Sequence, residues 1–374
     1  MTATIEASVG TPPNYVHFRP EFAAQLTKDF GQENYREKIM ADLDDWEAAP
    51  LPHQPGEFIN YVRLNRPESD TEDLESSNHV LVIPGFMSGI QSLAPFAAAM
   101  AKRGYDVTLA DENRADLVDD GSGEPLAARN QALNLAAIIK KEELQHVRLD
   151  VVAHSYGAPI FEQLLKIAHE PENNWTCFDH ASVALIAPAE IHEQPQPDHP
   201  LLSKVSSKFR GLRRRLIPVG TFPDSYRAYH TDGTKAGNEF LQTNRERAKL
   251  EVHEVETRTI NLEELSRGVG RLAIVPLAGD ERFPDERYAE ESSRDLFDTL
   301  SNVTVFTPIS LQLLSKNRPS KGIRSGRGSD HCAILWYPET VAGPVDEFLQ
   351  PEKYFMALRK QGAVALNGAN VSQS

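Results

Sequence analysis

The stretch VVAHSYGAP, residues 151–159, runs from an apolar block into a turn of small residues with one serine at its centre. Val151, Val152 and Ala153 end the segment LDVVAH, which reads as a buried strand, and APIFEQLLKIAHE after it has the spacing of an amphipathic helix. A strand that passes into a helix over so few residues turns tightly, so the residues two before and two after the serine must be small. Ala153 and Gly157 meet that condition. Ser155 would then be pushed beyond the carboxyl end of the strand, and the backbone N–H of Tyr156 would stand at a helix start, where it can stabilise an oxyanion. A serine in that place can also be a plain N-cap, so the rest of the chain has to decide between the two roles.

Outward from this turn the pattern alternates. HVLVI (79–83) reads as a strand that stops at Pro84-Gly85, and is followed by SLAPFAAAMAKRG as helix, YDVTLAD as strand and LAARNQALNLAAIIKKE as helix. VRLDVVAH, the helix after Ser155, and ASVALIAP as strand continue it. The rhythm lapses between residues 190 and 270, which are polar, proline-rich at first and helix-like later. It returns with RLAIVPLAG as strand, a helix over 286–300, NVTVFTP as strand and a last helix near TVAGPVDEFL. Strands alternating with helices predict βαβ units and a parallel sheet covered on both faces. EFINYVR (57–63) reads as a further strand, and Phe22, Leu26, Phe30, Ile39, Leu43 and Trp46 give residues 20–48 a helical stripe. The expected organisation is a helical N-terminal extension over 1–56, an α/β core over 57–189 and 271–350, a lid or cap inserted over 190–270, and a polar tail over 351–374.

A hydroxyl nucleophile needs a general base, and the base needs an orienting carboxylate. RLAIVPLAG leads directly into Asp280, and NVTVFTP leads through a loop to His331, so both candidates follow predicted parallel strands, at the end of the sheet where ligands bind. Glu281 and Asp285 are alternative acids beside Asp280.

Taken together these residues resemble the α/β-hydrolase family: Pro84-Gly85-Phe86 after an early strand, Ala153-His154-Ser155-Tyr156-Gly157 as a nucleophile elbow, Asp280 with Pro284 four residues on, and His331 followed by Pro338-Glu339 and Val341-Ala342. The resemblance implies an α/β-hydrolase fold with a helical lid insertion. It also implies roles: Ser155 attacks a carbonyl carbon, His331 takes and returns the proton, Asp280 orients His331, and the backbone N–H groups of Phe86 and Tyr156 form an oxyanion hole. Two positions depart from the family pattern: Ala153 stands for the usual first glycine of the elbow, and Pro84 for the common histidine of the oxyanion loop.

The chain of 374 residues, 40% hydrophobic and 25% charged, can bury a sizeable core. It carries no apolar run of membrane-spanning length and no secretory pattern at its start, so a cytoplasmic location is expected. Cys177 and Cys332 are too few for a disulfide framework. A net charge of −15 argues against nucleic acid as a partner. Positive charge is nevertheless gathered in KVSSKFRGLRRRL (204–216), where Val205, Phe209, Leu212 and Leu216 recur at helical spacing, and in SKNRPSKGIRSGRGSDH (315–331). Such segments offset an acidic body, or they rim the site and attract an anionic substrate or an anionic membrane surface. His192, Glu193, Asp198 and His199 match no metal-site spacing, and a solvated loop accounts for them better. Asp111 and Arg114 are expected to brace loops at the same end of the sheet.

The sequence thus predicts a serine hydrolase of the carboxylesterase or lipase type (EC 3.1.1), with no metal or organic cofactor, acting on a small ester or acyl substrate. Thioesterase, acyltransferase, amidase and carbon–carbon hydrolase chemistry use the same triad, and a ligand-binding protein without catalysis is the rival outside the enzymes.

Overall fold

In a computed structural model of the chain, the residues described are 41–64, 78–86, 88–111, 117, 119, 121, 123–124, 126–189, 245–257, 259–277, 300–305, 334 and 338–352. The β-branched and apolar runs of the sequence form eight strands: β1 (Glu47–Pro50), β2 (Phe58–Leu64), β3 (Asn78–Ile83), β4 (Tyr105–Ala110), β5 (Leu149–His154), β6 (Ser182–Ile186), β7 (Arg271–Val275) and β8 (Val303–Val305). They make one sheet in the order β1-β2-β4-β3-β5-β6-β7-β8. β3 to β8 run parallel to one another, while β2 pairs antiparallel with β4, and β1 antiparallel with β2, at one edge.

Every residue of β4, β5 and β6 is buried, as a sheet covered on both faces requires. The period-two geometry of a strand divides these side chains between two cores. Leu81, Ile83, Val151 and Ala153 point into one, with α2 (Leu126–Lys141) and α3 (Gly157–His169) above them. Val80, Val82 and Val152 point into the other, under α1 (Ile90–Ala101) and α6 (Pro338–Leu349). Two helices of the polar stretch between β6 and β7 are also described, α4 (Arg245–Thr257) and α5 (Leu262–Arg267). Leu262 and Leu265 of α5 join the first core.

The helix expected over residues 20–48 does not reach Trp46. Helical residues end at Asp44, and Glu47–Pro50 extends instead to pair with β2, Glu47 opposite Tyr61 and Pro50 opposite Phe58. Pro50 has no N–H to give a ladder and fits only at such an edge. The expected helix over 286–300 and the tail beyond 352 lie outside the described residues, as does most of the predicted lid, residues 190–244.

At the amino ends of β3 and β4 a buried charge cluster ties the sheet to the last turn of α2. The Arg63 guanidinium binds Asp106 through two nitrogens and Glu142 at 2.6 Å, His79 Nδ1 lies 2.9 Å from Asp106, and Tyr61 donates its hydroxyl to Glu142. Burial opposes the charge on Asp106, but the His79 hydrogen bond and the Arg63 cation outweigh it and hold its pKa below the usual carboxylate value.

Candidate active site

The chain leaves β3 to one side to form β4 and returns to the other side to form β5, so the strand order reverses between β3 and β5. The crevice at the carboxyl ends of two such strands is where ligands bind in open α/β sheets. Ser155 follows β5 there, and Phe86 follows β3 there.

Ser155 has φ +55, in the left-handed region that a non-glycine residue enters at about 1–2 kcal/mol. Ala187, after β6, is held at φ +43 beside it in the sheet order. Backbone hydrogen bonds fix both. Ser155 N–H donates to the Ile186 carbonyl at 3.0 Å, the Ser155 carbonyl accepts from Ala158 and Ala189 at 3.1 Å each, and Ala187 N–H donates to Val275 at 3.0 Å. The turn after β5 is thereby held by the exit of β6, and that exit by the end of β7.

The backbone of Ser155 does not fit the N-cap role. An N-cap residue has extended backbone and lends its side chain to the helix. Ser155 is left-handed, the N-cap of α3 is Tyr156, and no side-chain cap bond is made there. No acidic residue occupies the first turn of α3, so no carboxylate there offsets the partial positive charge of the helix start.

The loop bearing Phe86 lies against the serine. A methyl on Gly85 would stand 2.9 Å from both Ser155 Cβ and the His154 carbonyl oxygen, and a methyl on Gly157 would stand 2.7 Å from the Ile83 carbonyl. Only glycines allow the end of β3 and the turn after β5 to approach so closely. Ser155 and His154 are almost fully buried.

Asp280, Glu281, Asp285 and His331 lie outside the described residues, as do His192, Glu193, Asp198, His199, Arg114 and both basic segments. The elements that lead to the triad candidates in sequence, β7 before Asp280 and β8 before His331, are parallel strands next to each other, and α6 follows His331. Asp111 gives its N–H to the Asn60 carbonyl at 2.9 Å, which ties the end of β4 to β2. Among the described residues no group of three His, Cys, Asp or Glu side chains could hold a metal ion, and no helix is long and apolar enough to cross a membrane.

Sequence reasoning missed the support beneath the elbow. Tyr156 is fully buried and donates its hydroxyl to Glu254 of α4. The same carboxyl group accepts the N–H groups of Ala127 at 2.9 Å and Ala128 at 3.2 Å, capping α2 from far along the chain. Next to it Glu251 accepts from Arg247 at 2.9 Å and Gln131 at 2.8 Å, and burial raises the Glu251 pKa against those two partners. Arg247, Glu251 and Glu254 recur at helical spacing, so the buried face of α4 is charged while Val252 is exposed. A pattern search for apolar faces passes over such a helix; its acidic residues at i and i+3 beside a basic one were the available signal.

No family model matches the chain, and no curated protein matches it in sequence. Solved structures do. A bacterial membrane phospholipase A described as a virulence factor is 14% identical, with a TM-score of 0.52 over 88% of this chain and 94% of its own. A serine hydrolase from the PAH-degrading bacterium Cycloclasticus zankles is 12% identical, with a TM-score of 0.50 over 81% and 98%. An esterase from Rhodococcus sp. ECU1013 is 14% identical, with a TM-score of 0.50 over 82% and 98%. At these identities the likeness is one of fold, and it agrees with the strand order and the elbow: the chain has the α/β-hydrolase fold.

Proposed function

We propose that the protein is a serine hydrolase that cleaves a carboxylic ester or related acyl bond through an acyl-enzyme on Ser155. The observation that carries this reading is the left-handed Ser155 at the carboxyl end of β5, in a turn that Gly85 and Gly157 allow to lie against the end of β3. A serine is kept in a strained turn at a topological switch point where glycine would sit without strain, and a nucleophile accounts for the side chain. In this reading His331 takes the hydroxyl proton as Ser155 Oγ attacks the carbonyl carbon, and Asp280 orients the imidazole. The N–H groups of Phe86 and Tyr156 hold the oxyanion, and the intermediate collapses as His331 gives the proton to the leaving alcohol. Water then repeats the sequence to release the acid. The esterase and serine hydrolase above share the fold and support the class of chemistry.

The test is labelling with a fluorophosphonate, read by intact mass and peptide mapping. One adduct is expected, on Ser155, absent from Ser155→Ala and His331→Ala. A folded protein that takes no adduct and hydrolyses no p-nitrophenyl ester is a ligand-binding protein on this fold, and the proposal falls.

A further inference from the structure

We infer that Glu254 is a positioning residue for the oxyanion-hole donor of Tyr156, so that α4, from the stretch between β6 and β7, tunes the reactivity of Ser155; this rests on the serine-hydrolase reading.

Tyr156 has two ends with different tasks. Its backbone N–H stands at the start of α3, beside Ser155, and its side chain runs into the protein, where it is fully buried and bonded to Glu254. Tyr156 takes helical φ and ψ of −62 and −14 directly after the left-handed serine, so the peptide between them carries the strain of the elbow. A hydroxyl fixed at the far end of a rigid ring limits how that peptide can rotate. Glu254 is itself immobilised, because its oxygens also take the Ala127 and Ala128 N–H groups at the start of α2. The chain of contacts therefore runs from a helix terminus through one carboxyl group and one tyrosine to the oxyanion donor. An oxyanion hole works only when its donors are already aimed, and an error well under 1 Å in their placement lowers the rate.

The experiment compares Tyr156→Phe, Glu254→Ala and the double variant with the wild type. The readouts are the second-order rate of fluorophosphonate labelling per labelled serine, and kcat and KM for p-nitrophenyl acetate. Counting only sites that finally label removes any unfolded fraction. Tyr61→Phe is the control: another fully buried tyrosine bonded to a carboxyl group, Glu142, at the opposite end of α2.

Loosening a donor should cost less than the ~100-fold or more that follows its complete loss, so Tyr156→Phe is expected to label about tenfold slower, with kcat down and KM changed less than about twofold. Glu254→Ala, which also removes the two bonds to Ala127 and Ala128, should lose at least as much, and the double variant no more than Glu254→Ala, because both single variants break the same Tyr156–Glu254 hydrogen bond. Tyr61→Phe should lower the Tm and leave the labelling rate alone. Wild-type rates per site in Tyr156→Phe, or losses that multiply in the double variant, overturn the inference alone. A folded wild type that takes no label overturns the serine-hydrolase reading and the inference with it.

Discussion

Gly157→Ala puts a methyl group into the closest backbone approach of the elbow. Its Cβ would stand 2.7 Å from the Ile83 carbonyl oxygen and 3.1 Å from that of Pro84. Carbon and carbonyl oxygen settle no closer than about 3.3 Å, so the start of α3 and the end of β3 must part by about 0.6 Å. Neither side yields easily, since both obstacles are backbone and Ile83 is paired to Ala153 in the ladder. Overpacking of this kind costs about 1–3 kcal/mol, whereas exchanging glycine for alanine in a helix gains at most ~1 kcal/mol, so the steric effect wins. The expected net loss is about 1–2 kcal/mol, read as a fall of a few degrees in Tm by calorimetry. Because the displaced segment leads directly to Phe86, the fluorophosphonate reaction should slow by about tenfold or more. A Gly157→Ala protein with unchanged or higher Tm and wild-type labelling would refute the close approach as the reason for this glycine.

The other predictions concern the body of the fold. Arg63→Met leaves Asp106 and Glu142 buried without their shared cation and should cost about 3–5 kcal/mol in urea unfolding; a loss below ~1 kcal/mol would show the cluster to be solvated. The pKa of Asp106 is depressed in the folded state, so its contribution is fully present above the unfolded value of ~3.9 and is lost as pH falls through the folded value. Thermal melts should therefore drop below about pH 4, more steeply for the wild type than for Asp106→Asn, and parallel curves would assign the acid sensitivity elsewhere. Burial pushes the Cys177 thiol up to about 12, so in a Cys332→Ser background it should ignore a disulfide reagent at pH 8 and react only in urea.

The fold was legible because its core strands obey a simple rule. HVLVI, YDVTLA, LDVVAH and SVALI are short, mostly apolar runs buried along their length, as suits a doubly covered parallel sheet, and each is found within two residues of its expected limits. β1 was not legible, since EAAP has no strand-like pattern and is extended only because β2 offers an edge. α4 falls in the part of the polar stretch that reads as helix-like, but what it supports is not legible, because Glu254 takes its partners from Tyr156 and the start of α2, more than ninety residues away. Local periodicity carries no trace of that long-range pairing.

Within the elbow the sequence did not say which small residues had to be small for which reason. Ala153 lies in β5 with its methyl directed into the core beneath α2 and α3, fully buried, so alanine suits the position. Gly157 and Gly85 are different, since any Cβ there strikes backbone atoms of Ile83 or His154. The departure at Ala153 therefore leaves the turn intact. What fixes Ser155 is a three-segment junction of the ends of β3, β5 and β6, and a single methyl group at either glycine is enough to open it.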